Sequence, residues 1–233
     1  MKLHVIGSSS LGNGYVLEEN NTALLIECGV PLKKMLPFID FDLDKISCAL
    51  VTHSHGDHCG FINQYLDRGV RVFNNINAHY NSYPIKHGRM IKHDSWRVIP
   101  LKMNHDVECY GFLIKSPLGI TVFFATDTSD IPYNIKGINH AIIEANFEQE
   151  HLDNKQVNHK INHALASRVE QSHLSYEKAK DWLVKNNDSL KTITLIHLSD
   201  SNSLEKKFKV NLQQTLGVPV EIADTGDVFN LEF

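Results

Sequence analysis

Several things are scarce in this 233-residue chain, and each scarcity narrows what the protein can be. There are four cysteines, Cys28, Cys48, Cys59 and Cys109, with no Cys-x-x-Cys and no zinc-finger spacing. This argues against a disulfide scaffold or a zinc ribbon and leads us to expect free thiols in a reducing cytoplasm. Thirteen glycines and seven prolines are too few for a low-complexity chain. No apolar run approaches the ~18 residues of a membrane helix, so no membrane partner is expected. The opening stretch reaches Gly7 and three serines after only Val5 and Ile6, unlike a signal peptide. Excess positive charge is also missing. The formal net charge is −4, which argues against a protein that coats nucleic acid non-specifically but leaves room for a locally positive site. Of the 23 basic residues only five are arginine.

Histidine, by contrast, is abundant, with fourteen residues. Clustered at ligand spacings, an excess of histidine points to metal or acid–base chemistry. The hydrophobic pattern places short strands at Leu3–Ile6, Tyr15–Leu17, Ala23–Glu27, Ile46–Thr52, Val70–Asn74, Arg97–Leu101, Phe112–Lys115, Ile120–Ala125, Ala141–Glu144 and Thr192–Ile196, and a final one at Val218–Ile222. Gly7–Gly14 reads as a turn-rich run. Helices are expected over Pro31–Phe38, Gly60–Asp67, Ser175–Lys185 and Leu204–Leu216, while 147–172 is polar, His-rich and expected to be partly helical or mobile. With no internal repeat and no linker, the chain reads as one α/β domain spanning 1–233, in which strands that end in polar residues mark the site.

The strongest signal is His53-x-His55-x-Asp57-His58, placed directly after the apolar run Ile46–Thr52. In extended backbone His53 and His55 point the same way and can share one metal. Asp57 and His58 follow where the chain turns into a helix and can face a second. Borderline and hard divalent ions accept imidazole nitrogen together with carboxylate oxygen. Three further residues stand after strands in order: His105, Asp127 and His197.

This series resembles the metallo-β-lactamase fold superfamily over most of the chain. The resemblance implies a four-layer αββα sandwich and two divalent metal ions, with zinc, manganese or iron all compatible. It assigns His53, His55 and His105 to the first metal, Asp57, His58 and His197 to the second, and Asp127 to the bridge. Two such cations roughly 3.5–4 Å apart lower the pKa of a bridging water and neutralise an anionic substrate.

Several features bear on the branch. Asp127 stands where many true β-lactamases carry Cys. Only 69 residues separate Asp127 from His197, too few for the large inserted domain of the CPSF-type nucleases. The run Gly7-Ser8-Ser9-Ser10-Leu11-Gly12-Asn13 resembles the signature of the bacterial YycJ/WalJ group, and makes Ser8, Ser9, Ser10 and Asn13 candidate substrate-binding residues. Glu144-Ala145-Asn146 and His173-Leu174-Ser175 resemble segments of the tRNase Z-like phosphodiesterases, although Asn146 replaces a frequent Thr. By that resemblance Asp57, His173 and Glu144 act in catalysis: His173 protonates the leaving oxygen and Glu144 holds its tautomer. Lys86, Arg89, Lys92, Arg97 and Lys102, interleaved with Tyr80, Tyr83 and Trp96, form a basic and aromatic stretch of the kind that binds a single strand, or else a solvated edge. The expectation is a metal-dependent phosphodiesterase or nuclease, a DNA exonuclease first, with RNA second. The alternatives are a thioester or small-ester hydrolase of the glyoxalase II type and a non-catalytic, metal-stabilised binding protein.

Overall fold

A computed structural model describes residues 1–76, 82–199 and 204–231. The first part of the chain supplies the strands β1 (Lys2–Ser9), β2 (Gly12–Glu19), β3 (Thr22–Ile26), β4 (Ile46–Leu50), β5 (Val72–Asn74) and β6 (Tyr83–Pro84). The rest supplies β7 (Ile91–His93), β8 (Trp96–Met103), β9 (Cys109–Lys115), β10 (Thr121–Ala125), β11 (His140–Glu144), β12 (Thr192–Ile196), β13 (Val220–Ile222) and β14 (Val228–Asn230). Among the described residues these form two seven-stranded sheets, in the orders β14-β1-β2-β3-β4-β5-β6 and β13-β12-β11-β10-β9-β8-β7.

Alternation along the strands builds the layers, because successive side chains point to opposite faces. In β10, Val122 and Phe124 join the cluster between the sheets with Leu17, Leu24 and Leu50, whereas Phe123 and Ala125 join the outer cluster. That outer cluster also holds Ala179, Trp182 and Leu183 of a helix over Tyr176–Lys185 and Phe208 and Leu212 of one over Glu205–Leu216. On the far face of the first sheet, Val16, Leu25 and Val51 pack against Leu32 and Met35 of α1 (Leu32–Met35) and against Ile62 and Tyr65. The order is therefore helix, sheet, sheet, helix, the expected αββα sandwich. The remaining helices are α2 (Gly56–Cys59), α3 (Ile62–Leu66), α4 (Gln149–Val157) and α5 (His163–Ser172), so the two C-terminal helices are α6 (Tyr176–Lys185) and α7 (Glu205–Leu216). No described helix is long and apolar enough to cross a membrane.

Three expectations are corrected. Val220–Ile222 is not the final strand: β14 follows and pairs antiparallel with β1, Leu3 opposite Phe229. With three residues, two of them exposed, it carries too little alternation to read. The turn-rich run Gly7–Gly14 does turn, but only at Ser10 and Leu11: the rest is strand, the tip of the β1–β2 hairpin paired up to Ser9 opposite Gly12. Its small residues hide the strand pattern. Trp96 is buried between the sheets with its Nε1 donating to Thr22 Oγ1 at 3.3 Å, so it cannot stack on a base. Tyr83 is exposed, and Tyr80 lies outside the described residues. The stretch 147–172 does form helices, α4 and α5, around a small cluster of buried Phe147, Leu152 and Ala166.

Candidate metal centre

The site stands at one end of both sheets, built on strand ends. Glu27 follows β3, His53 follows β4, Asp127 follows β10, Glu144 ends β11 and His197 follows β12. The parallel pairing of β10, β11 and β12, with Ala125 opposite Ile143 and Glu144 opposite Ile196, brings the last three side by side. Glu27, Asp127 and His197 each adopt left-handed backbone, φ 69°, 48° and 53°. For residues with a Cβ this is a strained conformation, which persists only where the surroundings enforce it. Here it swings three side chains out of the sheet and into one cluster. His55 begins α2, and Asp57 and His58 lie on it. This turn packs closely on the preceding loop, where a Cβ at Gly29 would fall 1.6 Å from the Asp57 carbonyl oxygen.

Two groups of ligand-type atoms converge. In one, His55 Nδ1 is 3.1 Å from His53 Nε2 and 3.3 Å from His105 Nε2. In the other, Asp127 Oδ2 is 2.5 Å from His58 Nε2, and Asp57 Oδ2 is 3.4 Å from the same nitrogen, with His197 joining them. The ligand atoms in each group lie within 4.8 Å of one another. Asp127 Oδ2 also reaches to 3.6 Å from His53 Nε2, so it stands between the groups.

The outward nitrogens fix the tautomers. Thr52 Oγ1 donates to Glu27 Oε1 at 2.6 Å and therefore accepts from His53 Nδ1 at 2.8 Å. The Ser172 carbonyl accepts from His105 Nδ1 at 3.0 Å. Glu144 Oε1 accepts from His197 Nδ1 at 3.1 Å. A neutral imidazole with a proton on Nδ1 carries a bare lone pair on Nε2. The Nε2 atoms of His53, His105 and His197 thus point bare lone pairs inward. His197 Nε2 is buried with no hydrogen-bond partner among the described residues. Leaving such an atom unsatisfied costs about 1–3 kcal/mol, and a cation in the cluster removes that cost. The donor set, imidazoles with carboxylates and outer partners, fits divalent metal ions.

Electrostatics agree. Burial alone would raise the Asp127 carboxyl, yet His197, His58 and His173 hold it well below the carboxylate range. His53 is kept well below the histidine range, first by burial and then by His58. His173 is different. Burial would lower it, but Glu144 and Asp127 push it up to about 10. Its Nδ1 lies 2.6 Å from Glu144 Oε1 and 3.1 Å from Asp127 Oδ1, and its ring stays about a quarter exposed.

A cavity of about 480 Å³ opens over the cluster, lined by His55, Asp57, His105, Asp127, His173 and His197 together with Ser9, Ser10 and Arg168. Of the four expected substrate-binding residues, Ser9 and Ser10 line it. Ser8 and Asn13 do not line it: Ser8 braces the site from behind, and Asn13 lies buried against the inner edge of the cluster. The Ser8 hydroxyl accepts from the His197 backbone N–H at 2.9 Å and from Tyr15 Oη at 3.0 Å. Asn13 is fully buried, with its Nδ2 3.0 Å from His58 Nε2. Lys86, Arg89, Lys92, Arg97 and Lys102 do not line this cavity. Sequence reasoning missed Glu27, Asp106 and Arg168. Glu27 is fully buried, and besides Thr52 it lies 3.2 Å from His58 Nδ1. Asp106 Oδ1 lies 3.4 Å from His55 Nε2. The signal for Glu27 was a carboxylate closing an apolar run, as Glu144 closes another.

The family model of the metallo-beta-lactamase superfamily matches residues 10–70, which include His53-x-His55-x-Asp57-His58. The structure superposes on the metallo-beta-lactamase fold protein YhfI from Bacillus subtilis with a TM-score of 0.77 at 17% identity, covering 98% of each chain. The chain has the metallo-β-lactamase fold. Within that fold, the human short-form tRNase Z is similar over 100% of both chains, with a TM-score of 0.69 and 13% identity. The anti-Pycsar protein Apyc1 of Saccharibacillus brassicae is 31% identical over 71 residues, 28% of this chain. That match spans 29% of the relative's own length.

Proposed function

We propose that this protein is a metal-dependent phosphodiesterase acting on nucleic acid, DNA before RNA, from the chain end. His53, His55 and His105 would hold one divalent cation and Asp57, His58 and His197 a second, with Asp127 between them. Zn²⁺, Mn²⁺ and Fe²⁺ all suit this donor set. When bound, such cations acidify water and neutralise charge on an anionic ester.

The observation that carries the reading is the His173–Glu144 pair. Glu144 holds His173 by Nδ1, which leaves Nε2 to face the cavity beside the cluster. A proton held there has a use only if the leaving atom needs one. An alkoxide leaving from phosphorus is strongly basic and needs it. A thiolate, with a thiol pKa near 8.5, departs largely without help, so the pair favours an oxygen ester over a thioester. The buried Glu144 fixes the ring and stabilises its charged form.

The test is hydrolysis of bis(p-nitrophenyl) phosphate and of end-labelled DNA and RNA by metal-stripped protein resupplied with Mn²⁺ or Zn²⁺, beside His173→Ala. Turnover is expected, with stepwise shortening from one end. The variant should keep its metal and lose about 10²–10⁴-fold in rate on DNA and RNA, whose alkoxides need the proton, and far less on bis(p-nitrophenyl) phosphate, whose nitrophenolate does not. Wild-type cleavage of DNA and RNA by the variant, or turnover of an S-acyl thiol without any phosphodiester, would overturn the reading.

A further inference from the structure

Beside the metal centre lies a second space, of about 490 Å³, along α5. Its helical lining is His163, Ala164, Ser167, Arg168, Gln171 and Ser172, the spacing of one helix face. It meets the first cavity at His105, Asp106, Arg168 and Ser172, which line both. The two spaces form one trough that leads away from the cluster.

Arg168 stands at the junction. It is the one Lys or Arg side chain lining either space. The other four arginines of the chain all lie between positions 68 and 97. Among the described residues Arg168 is exposed and has no carboxylate within ion-pair distance. The nearest candidate by position, Asp106, faces His55 and His105 at 3.4 and 3.1 Å. The rest of the face, His163, Ser167 and Gln171, offers neutral hydrogen-bonding groups.

A guanidinium held free at the mouth of a site for anionic esters is suited to bind phosphate through paired N–H donors. On the phosphodiesterase reading the scissile phosphate would sit over the metal cluster, which leaves Arg168, at the junction of the two spaces, for a neighbouring phosphate. We infer that Arg168 and the α5 trough bind the phosphodiester next to the scissile one, so the preferred substrate is an oligonucleotide strand and not an isolated phosphodiester. This inference rests on the phosphodiesterase reading and names its substrate class. Arg168 is a positioning residue here, acting on substrate affinity through a phosphate that does not react.

The experiment compares a dinucleotide without terminal phosphates, which has one phosphodiester, with a tetranucleotide of matching sequence, using the Mn²⁺-loaded protein and its Arg168→Ala and Arg168→Lys variants over a salt series. Arg168→Ala should raise KM for the tetranucleotide about 10- to 100-fold with a smaller change in kcat, and should penalise the dinucleotide far less. The salt slope of binding should fall by about 0.7 in Arg168→Ala and be restored in Arg168→Lys, which keeps the charge but not the paired donors. Position 168 is an exposed helix site, so an unchanged melting temperature is expected and serves as the folding control. Equal penalties on both substrates, or none on either, would overturn the inference and leave the phosphodiesterase reading standing. Wild-type protein that cleaves neither substrate, while turning over no simple phosphodiester, would overturn both.

Discussion

The two sheets each contribute one fully buried glutamate to the metal centre, and the two glutamates work differently. Glu27, after β3, anchors His53 through Thr52 and lies beside His58, so both of its histidines face the cluster. Glu144, at the end of β11, anchors His197, which faces the cluster, and His173, which faces the cavity. The first half of the chain therefore builds a holder. The second half builds a holder and a proton donor on one carboxylate. Because each carboxylate orients two rings, a change at either spreads to both, and the pattern of spread separates binding from chemistry.

The largest expected effect comes from removing what joins the halves. Asp127→Asn keeps the shape but takes away the charge between the groups, leaving His58 and His197 only their outer glutamates, Glu27 and Glu144. Metal content by elemental analysis should drop by at least one ion per chain, and phosphodiester turnover should fall by on the order of 10²–10³-fold or more. Full metal retention would show that the halves bind independently.

Next in size is the contrast between the glutamates. Glu27→Gln should weaken metal affinity about 10- to 100-fold, and saturating metal should restore most of the activity. Glu144→Gln should weaken affinity by a similar factor, yet saturating metal should leave it slow, because His173 has lost its anchor. Metal titrations followed by turnover separate the cases. Equal recovery in both variants would erase the distinction drawn here.

The smallest effect uses a histidine at the opposite end of the same strand. His140 begins β11, is buried, and lies 2.6 Å from Thr192 Oγ1. Burial, then Lys191 and the N-terminal ammonium, lower its pKa to about 4. Unfolded, it titrates near 6.5 and binds a proton more readily than in the fold. Its contribution is present in full above pH 6.5 and is lost as pH falls from there toward 4. Between pH 7 and 5 this amounts to about 2 kcal/mol. Urea melts of His140→Gln should show a decline over that range smaller by about this amount. An unchanged slope would place the acid sensitivity at the centre itself.

How much could be read beforehand follows the same division. The holder of the first half was legible because its four ligand-type residues sit within six positions, a density that chance rarely gives. His105, Asp127 and His197 were legible only as a series, each a single residue after a strand. The sandwich was legible only through the resemblance that this ligand series carries; strands such as β10, apolar on both faces, then fill its two cores. Glu27 was not, since a lone acid after an apolar strand has the look of a solvated end until its left-handed backbone turns it inward. Arg168 was hidden in a polar stretch whose helices rest on few apolar residues. In the hairpin tip, alternation sends Ser9 to the cavity and Ser8 to the His197 backbone, and a run of small residues does not reveal which way each will face.

The pairing of β14 with β1 sets an order of events during synthesis. Leu3 pairs with Phe229, which is made long after it. Such a contact has a very large sequence separation, and pairings of that kind form slowly. Until it forms, a nascent chain on the ribosome carries the β1–β2 hairpin with one edge open, and open edges recruit other strands. The same hairpin carries Ser8, which holds the His197 backbone, and Asn13, which touches His58 Nε2. The cluster gains its full backing only when β14 arrives, so metal supplied early meets His53, His55 and His58 well before it meets a finished centre.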